Sequence, residues 1–270
     1  LGDAVQTYTD GTNSITIQHR GFDNARVAEK WAREHFVTPD QVFVTGSSAG
    51  AYGALFNGVW LEQTYPASDF SVLGDAGNGV ITDDFRMNYF PNWNVNANLP
   101  TNVPQLTELT VPAATTAAAN FYPRTRWAHY ATAYDGGTGG QTGFYNIMLN
   151  PGNVGAWLNW WNASCDWNSM MLSQAQTTSD GITTMPNKNY HYYVGTGSRH
   201  TMFGSSKVYT DTTGGVPTIV DWINLMLNND PSWSDVVASN FGLLLPGDPQ
   251  PSPLAEPFEQ MGSDVVVNCP

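Results

Sequence analysis

Apolar and polar positions change period several times along the chain, and each change marks an element. Residues 14–19 alternate, with Ile15 and Ile17 on one side, which predicts a strand. From Asp23 or Asn24, both good N-cap types, Val27, Trp31 and His35 recur four apart beside Ala28, Ala32 and Phe36, which predicts a helix ended by Pro39. Residues 41–45 read as a short strand, Ala51 through Leu55, Val59 and Leu61 as a helix, and residues 69–74 as a further strand. Strands are also predicted at 127–134 and 190–194, and a Trp- and Met-rich helical run at 154–176. An amphipathic helix is expected at 217–228, with Ile219, Trp222, Ile223 and Met226 on one face and Pro217 in its first turn. Residues 83–122 read as a loop or cap insertion, carrying Trp93, and residues 243–270 as a proline-punctuated tail that wraps the surface. Strands alternating with helices predict an α/β fold: a mostly parallel sheet flanked by helices on both faces, with residues 1–270 forming one domain.

One short stretch carries chemistry. Gly46-Ser47-Ser48-Ala49-Gly50 is a G-x-S-x-G sequence between a predicted strand and a predicted helix, the context of a nucleophile elbow in an α/β-hydrolase-like fold. A serine lifted above a sheet on a strained turn needs very small residues two positions either side, so that strand and helix backbones can approach. Ser48 is therefore the candidate nucleophile and Ser47 its neighbour, while the backbone N–H of Ala49 would face a developing oxyanion. A serine nucleophile needs a histidine base and an orienting carboxylate, which follow in the order acid, then histidine, in this fold. Downstream of Ser48 stand His129, His191 and His200. The first two fall inside predicted strands, whereas His200 follows a strand end in a glycine-flanked loop, where the catalytic edge of a parallel sheet gathers its loops. Asp135 ends the 127–134 strand at that same edge and is the expected acid. Asp75, ending the 69–74 strand, is the alternative acid or a supporting residue, and Asp166 and Asp180 are less well placed. Serine chemistry of this kind calls for no metal and no organic cofactor.

Composition narrows the class. The 270 residues are 41% hydrophobic and 13% aromatic, enough for one large core and too much for a disordered chain. The formal charge of −13 argues against nucleic acid or an anionic membrane surface as partner. No apolar run approaches the roughly 20 residues of a membrane span. The two cysteines, Cys165 and Cys269, are expected to form one disulfide that ties the tail to the body, which fits a secreted protein; the alternative is two buried thiols. Leu1 opens the chain without an initiator Met or a basic-then-apolar leader, as in a processed or excerpted chain. Trp157, Trp160 and Trp161 stand at helical spacing and are expected mainly in the core, with some place open for them along an acyl or sugar cleft.

At the elbow the sequence resembles a known family. GSSAGAYGALFN is similar to the elbow of the pectin acetylesterase and Notum family; HRGFDNARVAEKW resembles its H/F-R-G segment, and SVLGDAGNGV its strand ending in Asp-Ser-Gly or Asp-Ala-Gly. The resemblance runs from about His19 to His200, is weakest between Asp83 and Tyr122, and is closest to a bacterial branch in its low cysteine content. Residue by residue it implies Ser48 as nucleophile, Asp135 as acid and His200 as base of a carboxylesterase. The family's glycine-rich oxyanion loop lies well upstream of the H-R-G segment, so a preceding N-terminal segment of the same precursor is expected to complete the oxyanion hole. The substrate implied is an ester, small or polymeric. A strongly acidic protein would repel polyanionic pectin, so a neutral or apolar acyl ester is favoured. The alternatives are a polyester depolymerase with the same triad, or a catalytically idle module that binds glycan or lipid.

Overall fold

The computed structural model describes residues 2–103 and 110–270. The chain opens with strands β1 (Val5–Thr9) and β2 (Ser14–Gln18), which pair antiparallel as a separate hairpin. The strand expected at 14–19 thus exists but does not open the main sheet. The turn decides its partner: the Asp10 carboxylate accepts the N–H groups of Thr12 and Asn13, and Gly11 takes φ +89°, so the chain reverses on itself. Helix α1 (Gly21–His35) begins ahead of Asp23, with the Phe22 N–H satisfied by the Gly2 carbonyl and no side-chain cap. None of its residues is buried; Val27 and Trp31, on the expected apolar stripe, are 69% and 54% exposed. It leans on the following helix through Arg26, whose guanidinium bonds Asn57 Oδ1 at 3.1 Å and lies over the Trp60 ring.

The body is a parallel sheet. Strand β3 (Gln41–Ser47) leads through helix α2 (Ala49–Thr64) into β4 (Asp69–Asp75). The next stretch holds helix α3 (Asp83–Tyr89), two 3-10 turns (Pro91–Trp93 and Val95–Asn98) and helix α4 (Val111–Phe121); residues 104–109 of the expected insertion lie outside the described residues. After β5 (Arg126–Thr132) come α5 (Gln141–Leu149), α6 (Val154–Trp157) and α7 (Ser164–Asp180). The helical run expected at 154–176 is thus interrupted. The Trp157 indole N–H bonds back to the Asn150 carbonyl at 2.8 Å, and a 3-10 turn at Trp160–Ala163 swings Trp160 into the core. Strand β6 (Tyr190–Gly195), helix α8 (Ile219–Leu227) and the short β7 (Val236–Val237) complete the unit. Thr218 caps α8 by accepting the Asp221 N–H, so Pro217 sits ahead of the helix instead of in its first turn, and its carbonyl takes the Tyr193 hydroxyl.

The five strands lie side by side in chain order, β3-β4-β5-β6-β7, all parallel. Register puts alternate residues on opposite faces. Phe70, Val72, Trp127 and Tyr190 pack with α2, α4 and α7 on one side; Leu73, Ala128, Tyr130 and Tyr193 meet Ile219, Trp222, Ile223 and Met226 of α8 on the other. Every residue of β5 is buried, as a central parallel strand covered on both faces must be. Arg126 at its start, the one cation among them, bonds Ser71 Oγ at 3.3 Å. The tail forms a hairpin of β8 (Phe258–Met261) and β9 (Asp264–Val267), bridged to Leu243, and is fastened by the disulfide Cys165–Cys269. Among the described residues no helix is long and apolar enough to cross a membrane.

Candidate active site

Because the sheet is parallel, the C-terminal ends of β3, β4, β5 and β6 share one edge, and each delivers one of the sequence-selected residues there. Ser48 sits between β3 and α2 with φ 57° and ψ −122°, a conformation a non-glycine residue adopts only under constraint. Two contacts impose it. The Ser48 N–H donates to the Asp75 carbonyl at 2.8 Å, and the backbone of Gly50 crosses directly over Gly46. A Cβ on Gly46 would lie 2.6 Å from the Gly50 carbonyl carbon, whereas a Cβ on Gly50 would meet nothing within 4 Å. The demand for a very small residue therefore falls on Gly46; Gly50 contributes a backbone that comes close, not a missing side chain. Ala49 is the first residue of α2, so its N–H has no partner within the helix and sits at the positive end of the helix dipole.

Asp135 leaves β5 in a left-handed conformation, φ 31°, and is fully buried. Its Oδ1 accepts from His200 Nδ1 at 2.6 Å and from the Gln141 backbone N–H at 2.9 Å, and its Oδ2 accepts the Gln141 side-chain amide at 2.9 Å. An ionised carboxylate can only accept, so Nδ1 of His200 carries a proton and Nε2 is left as the basic nitrogen of the neutral ring. Burial opposes a charge on His200, but the hydrogen bond to Asp135, the Asp135 charge and the more distant Asp75 charge outweigh it, and the imidazole pKa is raised above its ordinary value. Ser48, Ala49 and His200 together line a cavity of about 800 Å³. Its other walls are mostly apolar: Phe85, Phe90 and Trp93 from the stretch after β4, Tyr52 and Phe56 from α2, and Phe144 from α5.

The remaining candidates lie elsewhere or serve differently. Asp75 does not touch the His200 ring; its carboxylate accepts from Ser47 Oγ at 2.6 Å and from the N–H groups of Met202 and Phe203. His129 is buried beneath α2, its pKa pushed down to about 4 by burial, with Nδ1 3.4 Å from the Tyr190 hydroxyl. His191 pairs with Asp235 at 2.7 Å and abuts Trp233. Asp166 and Asp180 lie on α7. Of the three clustered tryptophans none lines the cavity; Trp160 is buried against Phe258 and fills the space a Cβ on Gly136 would need.

Two residues of the site were not singled out in the sequence. Gln141 holds the second oxygen of Asp135 and also accepts the Asn78 N–H at 2.8 Å, bracing the acid against the loop after β4. The one signal for it was its place at the end of the glycine-rich turn that Asp135 opens. Asp248, in the tail, accepts the Ser198 N–H at 3.2 Å and pairs with Arg199 at 3.1 Å, so the tail anchors the loop that carries His200. Nothing local in the sequence marks that contact. Among the described residues no three His, Cys, Asp or Glu side chains are grouped so as to hold a metal ion. Comparison with family models, with curated proteins and with solved structures returned no match.

Proposed function

We propose that the protein is a secreted serine carboxylic-ester hydrolase acting through an acyl-enzyme, with Ser48 as nucleophile, His200 as base and Asp135 as orienting acid. The observation that carries this reading is the Asp135–His200 hydrogen bond of 2.6 Å, set at the same sheet edge as a serine held at φ 57° and opening with it on one cavity. In this mechanism Nε2 of His200 takes the Ser48 proton as Oγ attacks the acyl carbon. The ester carbonyl oxygen becomes an oxyanion that the Ala49 N–H stabilises. Collapse expels the alcohol, protonated by His200, and leaves the acyl group on Ser48. Water, deprotonated by His200, then releases the acid and restores the serine.

The aromatic and aliphatic walls favour a neutral or apolar acyl group: among the described residues no carboxylate side chain lines the cavity, and its one full cation, Arg20, is engaged by Asp23 at 3.2 Å. The disulfide supports an oxidising compartment. The likeness of GSSAGAYGALFN and its flanking segments to the pectin acetylesterase and Notum family supports the same chemistry. Ser48→Ala should abolish labelling by a fluorophosphonate probe and lower hydrolysis of p-nitrophenyl esters by several orders of magnitude, with the far-UV and thermal profiles unchanged. Retention of labelling and hydrolysis in Ser48→Ala would sink the proposal, and a wild-type protein that neither labels nor hydrolyses would favour an idle binding module.

A further inference from the structure

Asp75 is 1% exposed, and nothing in a simple triad requires a second buried carboxylate at this edge. It stands between β3 and β5, opposite Ser47 in the register of one and Tyr130 in the other. Its carbonyl fixes the Ser48 N–H, and its side chain takes Ser47 Oγ at 2.6 Å. On the far side the same two oxygens take Met202 N–H at 3.0 and 3.1 Å and Phe203 N–H at 3.2 Å. Between the base and those donors lies Thr201, held at φ 60°. A β-branched residue in the left-handed region is strained and persists only where its neighbours over-determine it. The carboxylate supplies that determination. It binds the residue next to the nucleophile and the residues just beyond the base, so one side chain sets the distance between two loops that come from different ends of the chain.

We propose that Asp75 is a positioning residue of the hydrolase, a carboxylate staple that holds the His200 loop in register with the Ser48 elbow without touching substrate or imidazole. The proposal rests on the ester-hydrolase reading of Ser48, His200 and Asp135. Ser47 belongs to the same device: its hydroxyl satisfies the oxygen that also receives Phe203, so the elbow serine that precedes Ser48 is an anchor, not a spare nucleophile. Hydrogen bonds to an ionised acceptor are stronger than neutral ones, and an amide in place of the carboxylate would offer one acceptor oxygen and set an NH₂ against donors.

The experiment is Asp75→Asn with two readouts: kcat and KM for p-nitrophenyl esters, normalised to sites titrated by a fluorophosphonate, and the titration of the His200 ring followed by NMR. The expected result is a kcat per titrated site lowered tenfold or more with KM little changed, and a His200 titration moved to lower pH, since the Asp75 charge is one of the two carboxylates that favour its imidazolium. A residue that merely supports the fold would reduce the fraction of titratable sites while leaving kcat per site where it was; that outcome overturns the proposal. Should Asp75→Asn fail to fold, Ser47→Ala carries the test. It is expected to lower kcat per site about threefold to tenfold with KM unchanged, and an unaltered kcat would overturn the proposal. A wild-type protein that neither labels with the fluorophosphonate nor turns over ester refutes the hydrolase reading, whereas an active wild type whose kcat per site is unchanged by Asp75→Asn refutes the staple alone.

Discussion

Replacing Gly46 by alanine isolates the steric logic of the elbow, because the structure assigns opposite consequences to its two glycines. A methyl group on Gly46 would lie 2.6 Å from the Gly50 carbonyl carbon and 3.1 Å from its Cα, and both are backbone atoms that cannot rotate away. Ordinary contact requires the start of α2 to move by on the order of 1 Å from the end of β3. Overpacking of this kind costs about 1–3 kcal/mol. The displacement also carries Ser48 and the Ala49 N–H, and misplacement by about 1 Å costs on the order of 10²-fold in rate. Gly50→Ala meets nothing within 4 Å and Gly50 has no positive φ, so it should stabilise by about 0.5–1 kcal/mol through loss of unfolded-chain freedom. The two single-methyl variants should therefore melt several degrees apart, taking roughly 2–4 °C per kcal/mol for a chain of this size. Calorimetric melting and ester hydrolysis on the same samples give the answer. If Gly46→Ala melts and turns over like the wild type, or if Gly50→Ala is the damaged variant, the close crossing of strand and helix is wrong, and the constraint on Ser48 with it.

Asp135→Asn should fold normally yet lose about 10³–10⁴-fold in kcat, because an amide in that place favours the wrong imidazole tautomer; were Asp75→Asn the inactive variant and Asp135→Asn near normal, the roles would be exchanged. The acid limb of kcat/KM should lie above the ordinary histidine value of about 6.5, since His200 must be neutral to accept a proton and its folded pKa is raised. By linkage the imidazolium contributes stability that is fully present below the unfolded value and lost as pH rises through the raised one, so thermal stability should slip in the window where activity climbs; an acid limb below 6.5 would contradict this. The Cys165–Cys269 bridge spans 104 positions, for which chain entropy gives about 4–5 kcal/mol, so Cys165→Ser with Cys269→Ser should lower the melting temperature on the order of 10 °C. The same pair of substitutions should lower turnover, because the tail it fastens also holds Ser198 and Arg199 beside His200; unchanged melting in reductant would refute the first half.

What the sequence showed of this site was the part encoded locally. A strand, a small-residue turn and a helix are contiguous, so Ser48 could be read from adjacent residues, and His200 and Asp135 followed from the rule that parallel strands end at one edge. Partners brought in from afar left no such mark. Gln141 acts by reaching Asp135 and Asn78 at once, and Asp248 by meeting Ser198 from the tail. Period alone also failed to choose between sheets: Ile15 and Ile17 alternate as a strand should, but alternation says nothing about the neighbour, and the turn at 10–13 gave them β1. The helical run at 154–176 broke because apolar spacing is indifferent to where Trp160 must point, and the core claimed it ahead of the helix.

Net charge is a property of the whole surface, whereas selectivity is set at the walls of the cavity, and here the two diverge. The chain carries −13, yet among the described residues those lining the cavity around Ser48 include no carboxylate side chain and one full cation, Arg20, already engaged by Asp23 at 3.2 Å. Within a screening length of about 8 Å at physiological salt the acidic surface repels anions on approach. Inside the cavity what a bound group meets in contact is Phe85, Phe90, Trp93 and Phe144. Rings packed edge-to-face, as Phe85 is against Phe144, form a wall that offers area and few hydrogen bonds. An acyl group should therefore gain affinity with each methylene it places there, about 0.8 kcal/mol or roughly fourfold in kcat/KM, until the wall ends, whereas an added carboxylate should lose it. The acidic surface and the aromatic wall thus select in the same direction by different physics: one within a screening length of the surface against negative charge, the other in contact for apolar area.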